Sequence, residues 1–252
     1  MKKAFYLLLC AVLVGLFAVP GNALRAQSKW LAAEQLPDLL KVLDPPPAFD
    51  SPAFANDLLR YQWGKQQRRD SVRCAIAKRD AVYGLATICS EFSVPFGMTL
   101  SPETTPEIYR LLDTAVATVD QVGKKAKAYY NRTRPYVYFG EPTIAPWDEE
   151  DLRHNGSYPS GHTILGWTAA LLLAEINPDR QDTILRRGYL YGESRIIAGF
   201  HWSSDVDAGR LAATVALNRM RNEPRFQRQL QKAIAEFRLL SAAKREAEEG
   251  RR

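Results

Sequence analysis

Apolar residues in this chain recur every three or four positions rather than every second one, and that period predicts helices almost throughout. Ile108, Leu111, Leu112, Ala115, Val119 and Val122 trace one face of a helix over 106–132, and similar faces run over 162–176 and 206–220. Further helices are predicted over 30–42, 53–69, 72–92, 180–197 and 224–247. Pro45, Pro46, Pro47, Pro95, Pro142, Pro178 and Gly199 supply the breaks. The pattern implies an all-α fold, a single-domain helical bundle without internal repeats. The three consecutive prolines read as an extended surface segment, because too little chain precedes them to make a domain of its own.

The first residues follow another rule. Lys2 and Lys3 precede an apolar run from Ala4 to Val19, and Pro20, Gly21, Asn22 and Ala23 then supply a helix break and small residues. Residues 1–23 therefore read as a removed signal peptide, with Ala26 an equally acceptable cut, and residues 24–252 as the mature domain. No later apolar stretch is long enough to span a bilayer, so the mature chain is expected in the periplasm or secreted, without stable membrane insertion. The densely charged tail from about residue 243 reads as a solvated helix end.

Composition narrows the picture only slightly. The chain is 46% hydrophobic and 25% charged, ordinary for a globular protein, and its net charge of +6 admits an anionic partner without requiring one. Cys74 and Cys89 are the mature thiols, and an oxidising compartment would favour pairing them. On one unbroken helix they would stand roughly 22 Å apart, against the ~6 Å a disulfide needs, so a bridge demands a bend, with Gly84 the obvious place. The pairing stays open.

Three short segments carry unusual chemistry. In KAYYNRTRP, residues 127–135, Pro135 disfavours helix at Arg134, so Arg134 can fold back toward Lys127 and aim two cations at one spot. In GSYPSGHT, residues 156–163, Ser160 is a good N-cap and Gly161 lets a ligand approach the backbone. The free amides of that helix start suit an anion such as phosphate, and His162 beside it can protonate a leaving oxygen. In SRIIAGFHWSSD, residues 194–205, Asp205 lies four residues after His201 and can accept its Nδ1 hydrogen, leaving Nε2 as an outward lone pair. Phe200 and Trp202 would shield that ring from water. Each segment alone also has a bland reading: a solvated basic face, an ordinary capped helix, or a His and Asp that cap the next helix.

Together the segments are specific. A lysine seven residues before an Arg-Pro pair, then PSGH, then Ser194-Arg195 with His201 six and Asp205 ten residues beyond that arginine, resembles the signature of the type 2 phosphatidic acid phosphatase superfamily, which includes vanadium-dependent haloperoxidases. PPPAFDSPAFANDLL from Pro45, FSVPFG from Phe92, YYNRTRPYVYFG from Tyr129 and GESRIIAGFHW from Gly192 look like class A bacterial non-specific acid phosphatases, over nearly the whole mature chain. The resemblance implies that fold and a phosphohistidine mechanism: His201 as nucleophile, His162 as acid, Asp205 as orienting partner, and Lys127, Arg134, Ser160, Gly161 and Arg195 as phosphate binders. It also offers Ser93 as a further pocket residue. Substrates would be phosphomonoesters of nucleotides, sugars or aryl alcohols, with transfer to alcohols an added outcome, no cofactor, no nucleic-acid polymer, and room for a homo-oligomer.

Neither HExxH nor a Cys-His ligand spacing occurs, and arginines beside the histidines would repel a cation, so no metal is expected. Two rivals share the signature's chemistry in part. A haloperoxidase would keep vanadate in the same pocket, and a non-catalytic periplasmic phosphate-binding protein would use the cations without the His-Asp pair.

Overall fold

A computed structural model describes residues 29–250, so the signal-peptide reading of residues 1–23 falls outside the described residues. Twelve α-helices and three single-turn 3-10 helices, joined by loops, are found among the described residues, and no strand is present among them. In order they are α1 Leu39–Val42, α2 Phe54–Gln67, α3 Ser71–Ala81, α4 Leu85–Phe96, α5 Pro106–Val119, α6 Lys124–Tyr130, α7 Pro135–Phe139, α8 Glu149–Arg153, α9 Gly161–Ile176, α10 Gln181–Ala198, α11 Ser203–Met220 and α12 Pro224–Glu249. None of them is long and apolar enough to cross a membrane.

Helix α9 is the axis of the bundle. Its sequence, GHTILGWTAALLLAEI, is apolar on nearly every side, and it packs against α4, α5, α10, α11 and α12. Small residues set its approach to α10: a Cβ on Gly166 would lie 2.3 Å from the Tyr191 ring, and one on Gly188 would lie 2.4 Å from the Ala170 methyl. Side chains larger than hydrogen at those crossings would force the helices apart, at about 1–3 kcal/mol each. The neighbouring α5 buries Ile108, Leu111, Leu112, Ala115 and Val119, the stripe its periodicity predicts. Glu236 on α12 caps its first turn, accepting from the Glu107 and Ile108 amides at 2.9–3.1 Å.

Several predicted boundaries move. The helix expected over 72–92 is two helices, α3 and α4, because Gly84 adopts φ 125, a conformation L side chains rarely reach. That bend is the one a disulfide would have needed, yet Cys74 and Cys89 are free thiols, Cys89 buried in the core. Burial pushes the Cys89 thiol up to about 12, so it is inert. The helix expected over 106–132 breaks at residues 120–123 into α5 and α6. Only α1 and a short turn at Ala33–Gln35 form within 30–42, where Pro37 intervenes. Pro95 does not end its helix but sits within the last turn of α4. The charged tail from residue 243 remains helical to Glu249 and is exposed.

Candidate active site

Three stretches of chain meet at the N-terminus of α9. The first leaves α6 through Asn131, in the left-handed region at φ 38, runs extended through Arg134, and re-enters helix at Pro135, where a missing amide costs nothing. The second is the loop 156–160 that leads into α9. The third is the end of α10, where Gly199 at φ 94 turns the chain toward His201 and α11. Backbone hydrogen bonds lace them: Ser157 N to Arg132 O at 2.9 Å, Ser160 N to Asp205 O at 2.9 Å, and Tyr136 N to Gly199 O at 3.2 Å. The relative positions of the side chains are thus fixed by main chain, which gives a site its precision.

The cleft at this junction has a volume of about 350 Å³, and Lys127, Arg134, Gly161, His162 and His201 line it. Lys127 Nζ is held by the carbonyls of Gly156 at 2.9 Å and Ser157 at 3.4 Å. Arg134 is gripped by carbonyls of Leu152, Asn155, Phe200 and Gly156 and donates through Nη1 to His201 Nε2 at 3.1 Å. Arg195 is fully buried with its guanidinium 4.6 Å over the Phe200 ring, and none of its three nitrogens has a hydrogen-bond partner. A buried fork with five unpaired N–H groups is costly unless something anionic completes it. Burial, and then the charge of Arg134, bring Lys127 down to about 7 and Arg195 down to about 10. Burial brings Arg134 down to about 10 as well.

Partner chemistry assigns both imidazole tautomers. An arginine only donates, so His201 Nε2 must accept and carries its lone pair, while Nδ1–H points to Asp205 Oδ2 at 3.3 Å. A carbonyl only accepts, so His162 Nε2, 2.9 Å from Ala81 O, must carry a hydrogen. His162 can therefore deliver a proton only from Nδ1, as the imidazolium. Burial, followed by Arg134 and Lys127 for His201 and by Arg195 for His162, holds both rings well below the usual histidine range. An anion in the cleft would offset the Arg195 charge that bears on His162.

The α9 terminus adds a hydroxyl and a glycine. Ser160 Oγ accepts from Thr163 N at 3.4 Å and Thr163 Oγ1 at 2.9 Å, which leaves its own hydrogen to donate elsewhere. A Cβ on Gly161 would meet only Tyr83 Oη at 3.8 Å and Lys127 Cε at 3.9 Å, so the space it would fill is cleft rather than protein. Asp205 serves both roles the sequence offered: it caps α11 by accepting from Trp202 N at 2.9 Å, and it holds His201.

Ser93 finds its hydrogen-bond partners within α4 and the loop that follows it. It sits in the second half of α4, donating to Cys89 O at 2.7 Å and accepting from Leu100 N at 2.9 Å, and it does not line the cleft. Other contributors were not foreseen. Tyr83 packs edge-on against His162 at 4.7 Å and donates to Asp120, and both line the cleft with Asp148 and Asp151. Arg132 binds Asp205 from behind at 2.7 Å. Proximity in sequence to Arg134 was the one signal for Arg132; the others lie in segments without a motif. Among the described residues no group of His, Cys, Asp and Glu is arranged to hold a metal ion.

Comparison with known proteins identifies the family. Residues 110–225, which contain every signature residue, match the PAP2 superfamily. A non-specific acid phosphatase of Providencia stuartii is 42% identical over 221 residues, covering 86% of this chain and 89% of that protein. One from Salmonella typhimurium is 42% identical over 196 residues, covering 77% and 78%, and an acid phosphatase of Zymomonas mobilis is 38% identical over 201 residues, covering 79% and 75%. Identity at that level over most of both chains, with the cationic cleft and oriented histidine pair in place, assigns the chain to the class A non-specific acid phosphatases of the PAP2 superfamily.

Proposed function

We propose that this protein hydrolyses phosphomonoesters by way of a phosphohistidine on His201. The observation that carries the reading is the orientation of His201: Nδ1–H faces Asp205, and the Nε2 lone pair faces the cleft beside Arg134. Lys127, Arg134, Arg195, the Ser160 hydroxyl and the Gly161 amide would cradle the three peripheral phosphoryl oxygens, where charge gathers as the bonds loosen. His201 Nε2 attacks phosphorus as the ester P–O bond breaks, and His162 Nδ1–H passes its proton to the departing oxygen. Water then attacks phosphorus, His162 takes up its proton, and the P–N bond breaks to release phosphate.

Protonation sets the pH range. His201 must be neutral to attack, and its depressed proton affinity keeps it so under mildly acidic conditions. His162 must be charged to act, and the bound dianion supplies the field that protonates it. Both conditions meet on the acid side of neutrality. An alcohol reaching the phosphohistidine in place of water would yield phosphotransfer. Lys2, Lys3 and the apolar run from Ala4 support export to the periplasm, which the N-terminal sequence of the secreted protein would test.

His201→Ala is expected to abolish turnover while sulfate or vanadate still binds, and alkaline quench of the wild type should trap a phosphohistidine that the variant lacks. His162→Ala should harm alkyl phosphates more than nitrophenyl phosphate, whose leaving group needs no proton. Near wild-type turnover by His201→Ala would end this reading.

A further inference from the structure

Behind the cleft lies a second charge cluster that touches no cleft surface. Arg132 is absent from the cleft lining, and its side chain is 3% exposed. Its Nη1 donates to Asp205 Oδ1 at 2.7 Å and its Nη2 to Asp57 Oδ2 at 2.8 Å, both carboxylates being almost fully buried. Ser204 Oγ joins them, accepting from Arg132 at 2.7 Å and donating to Asp57 at 2.6 Å. Asp57, on α2, also accepts from Ser203 Oγ at 2.7 Å and from Ser204 N at 2.8 Å, so it pins the first turn of α11. The Trp202 ring, 5.6 Å from the Arg132 guanidinium, and the Phe49 and Phe54 rings at 5.9 and 6.0 Å close off water.

The chemistry of the pair explains why such a clamp is useful. A lone buried carboxylate against an imidazole favours the imidazolium, because the two charges then compensate each other. A protonated His201 has no lone pair at Nε2, so an uncompensated Asp205 would orient the nucleophile and disable it together. With Arg132 on Oδ1, the carboxylate already has its counter-charge, and Oδ2 can hold the ring as a hydrogen-bond acceptor alone. The remaining charges that face His201 are Lys127 from α6, Arg134 from the extended stretch and Arg195 from α10, with His162 of α9 the titratable neighbour. All of these act in the same direction.

We propose that Arg132, clamped between Asp57 and Asp205, is a positioning residue that keeps His201 neutral and Nδ1-protonated at acid pH. The inference rests on the reading of His201 as nucleophile, but its consequence is a protonation equilibrium that can be observed without turnover.

The chain has three histidines, and His154 is exposed, so nitrogen-15 imidazole spectra can be assigned with His201→Ala as reference. In Arg132→Gln the proton affinity of His201 is expected to rise at least about tenfold, one pH unit. The acid limb of kcat/KM should move up equally, so the ratio of variant to wild-type activity climbs with pH. Arg132→Gln strands Asp57, and should it fail to fold, Asp57→Asn with Arg132→Gln removes that burden and is expected to shift His201 in the same direction. A folded variant with unchanged His201 titration, or with activity lowered equally at every pH, overturns the proposal. Survival of activity in His201→Ala would instead overturn the nucleophile assignment, so the two failures are distinct.

Discussion

Arg132 and Arg134 stand two residues apart on one extended stretch and are similarly buried, at 5% and 2% exposure, yet their surroundings are opposite. Arg132 lies between two carboxylates, whereas Arg134 meets backbone carbonyls and a neutral imidazole, and Arg195 nearby meets no polar partner. The same contrast recurs across α10, where Arg187 is paired with Asp80 and with Glu91 at 3.0 Å. Cations compensated inside the protein hold helices together; cations left uncompensated depress one another and reserve their charge for a ligand. Position in sequence does not separate the two kinds, but carboxylates do.

The contrast is broken most forcefully by exchanging roles. Arg195→Met should lower kcat/KM by about 10³-fold, the scale of losing a principal oxyanion donor, while urea denaturation shows a fold as stable as the wild type or more so. Arg187→Met should do the reverse. It leaves the buried Asp80 without its ion-pair partner, while Glu91 keeps Arg79, and should cost about 3–5 kcal/mol in the same denaturation measurement. A comparable stability loss in Arg195→Met would erase the distinction.

Lys127 sharpens it at the next scale down. Its folded proton affinity near 7 lies far below the ordinary 10.5, so the unfolded chain binds the extra proton between those values. Stability from this group is full above pH 10.5, falls as pH drops toward 7, and stays low below it. Lys127→Met should therefore gain about 2 kcal/mol at pH 6 even as it weakens anion binding. Sulfate keeps one charge across this range and makes a clean probe. Its affinity in the wild type should fall by about tenfold per pH unit above pH 7, as the lysine loses its proton, and that slope should flatten in the variant. The buried histidines add an acid counterpart. Their folded proton affinities lie below the unfolded value near 6.5, so the stability they contribute is full above that pH and lost as pH falls through the folded values. Thermal melts from pH 7 to 4.5 should show that loss, and saturating sulfate should reduce it by favouring the charged form of His162.

How much of this was legible in sequence follows from how local each feature is. Ser160 before a helix, Asp205 four residues after His201 and Arg134 before a proline are local relations, and the structure realises all three. The breaks at Gly84 and at residues 120–123 were hidden because apolar periodicity continues on both sides of them. Arg132 and Asp57 were hidden for another reason: they are 75 residues apart, and no spacing rule joins them. Arg132 lies in the same basic segment as Arg134, and only its distant carboxylates distinguish the two. Tyr83 and Asp120 meet at the cleft for the same non-local reason.

Ser93 supplies the smallest test, and a useful one because similarity alone placed it in the pocket. Its hydroxyl bridges two main-chain groups, the Cys89 carbonyl and the Leu100 amide, and so ties the last turns of α4 to the loop that follows. Ser93→Ala removes both bonds and leaves the Leu100 amide without that partner, which should cost about 1 kcal/mol of stability. Because no cleft atom depends on it, kcat/KM should remain within about twofold of wild type, the range expected when transition-state contacts are untouched. A change confined to kcat/KM, with stability intact, would return Ser93 to the pocket and show that the α4 loop reaches the substrate.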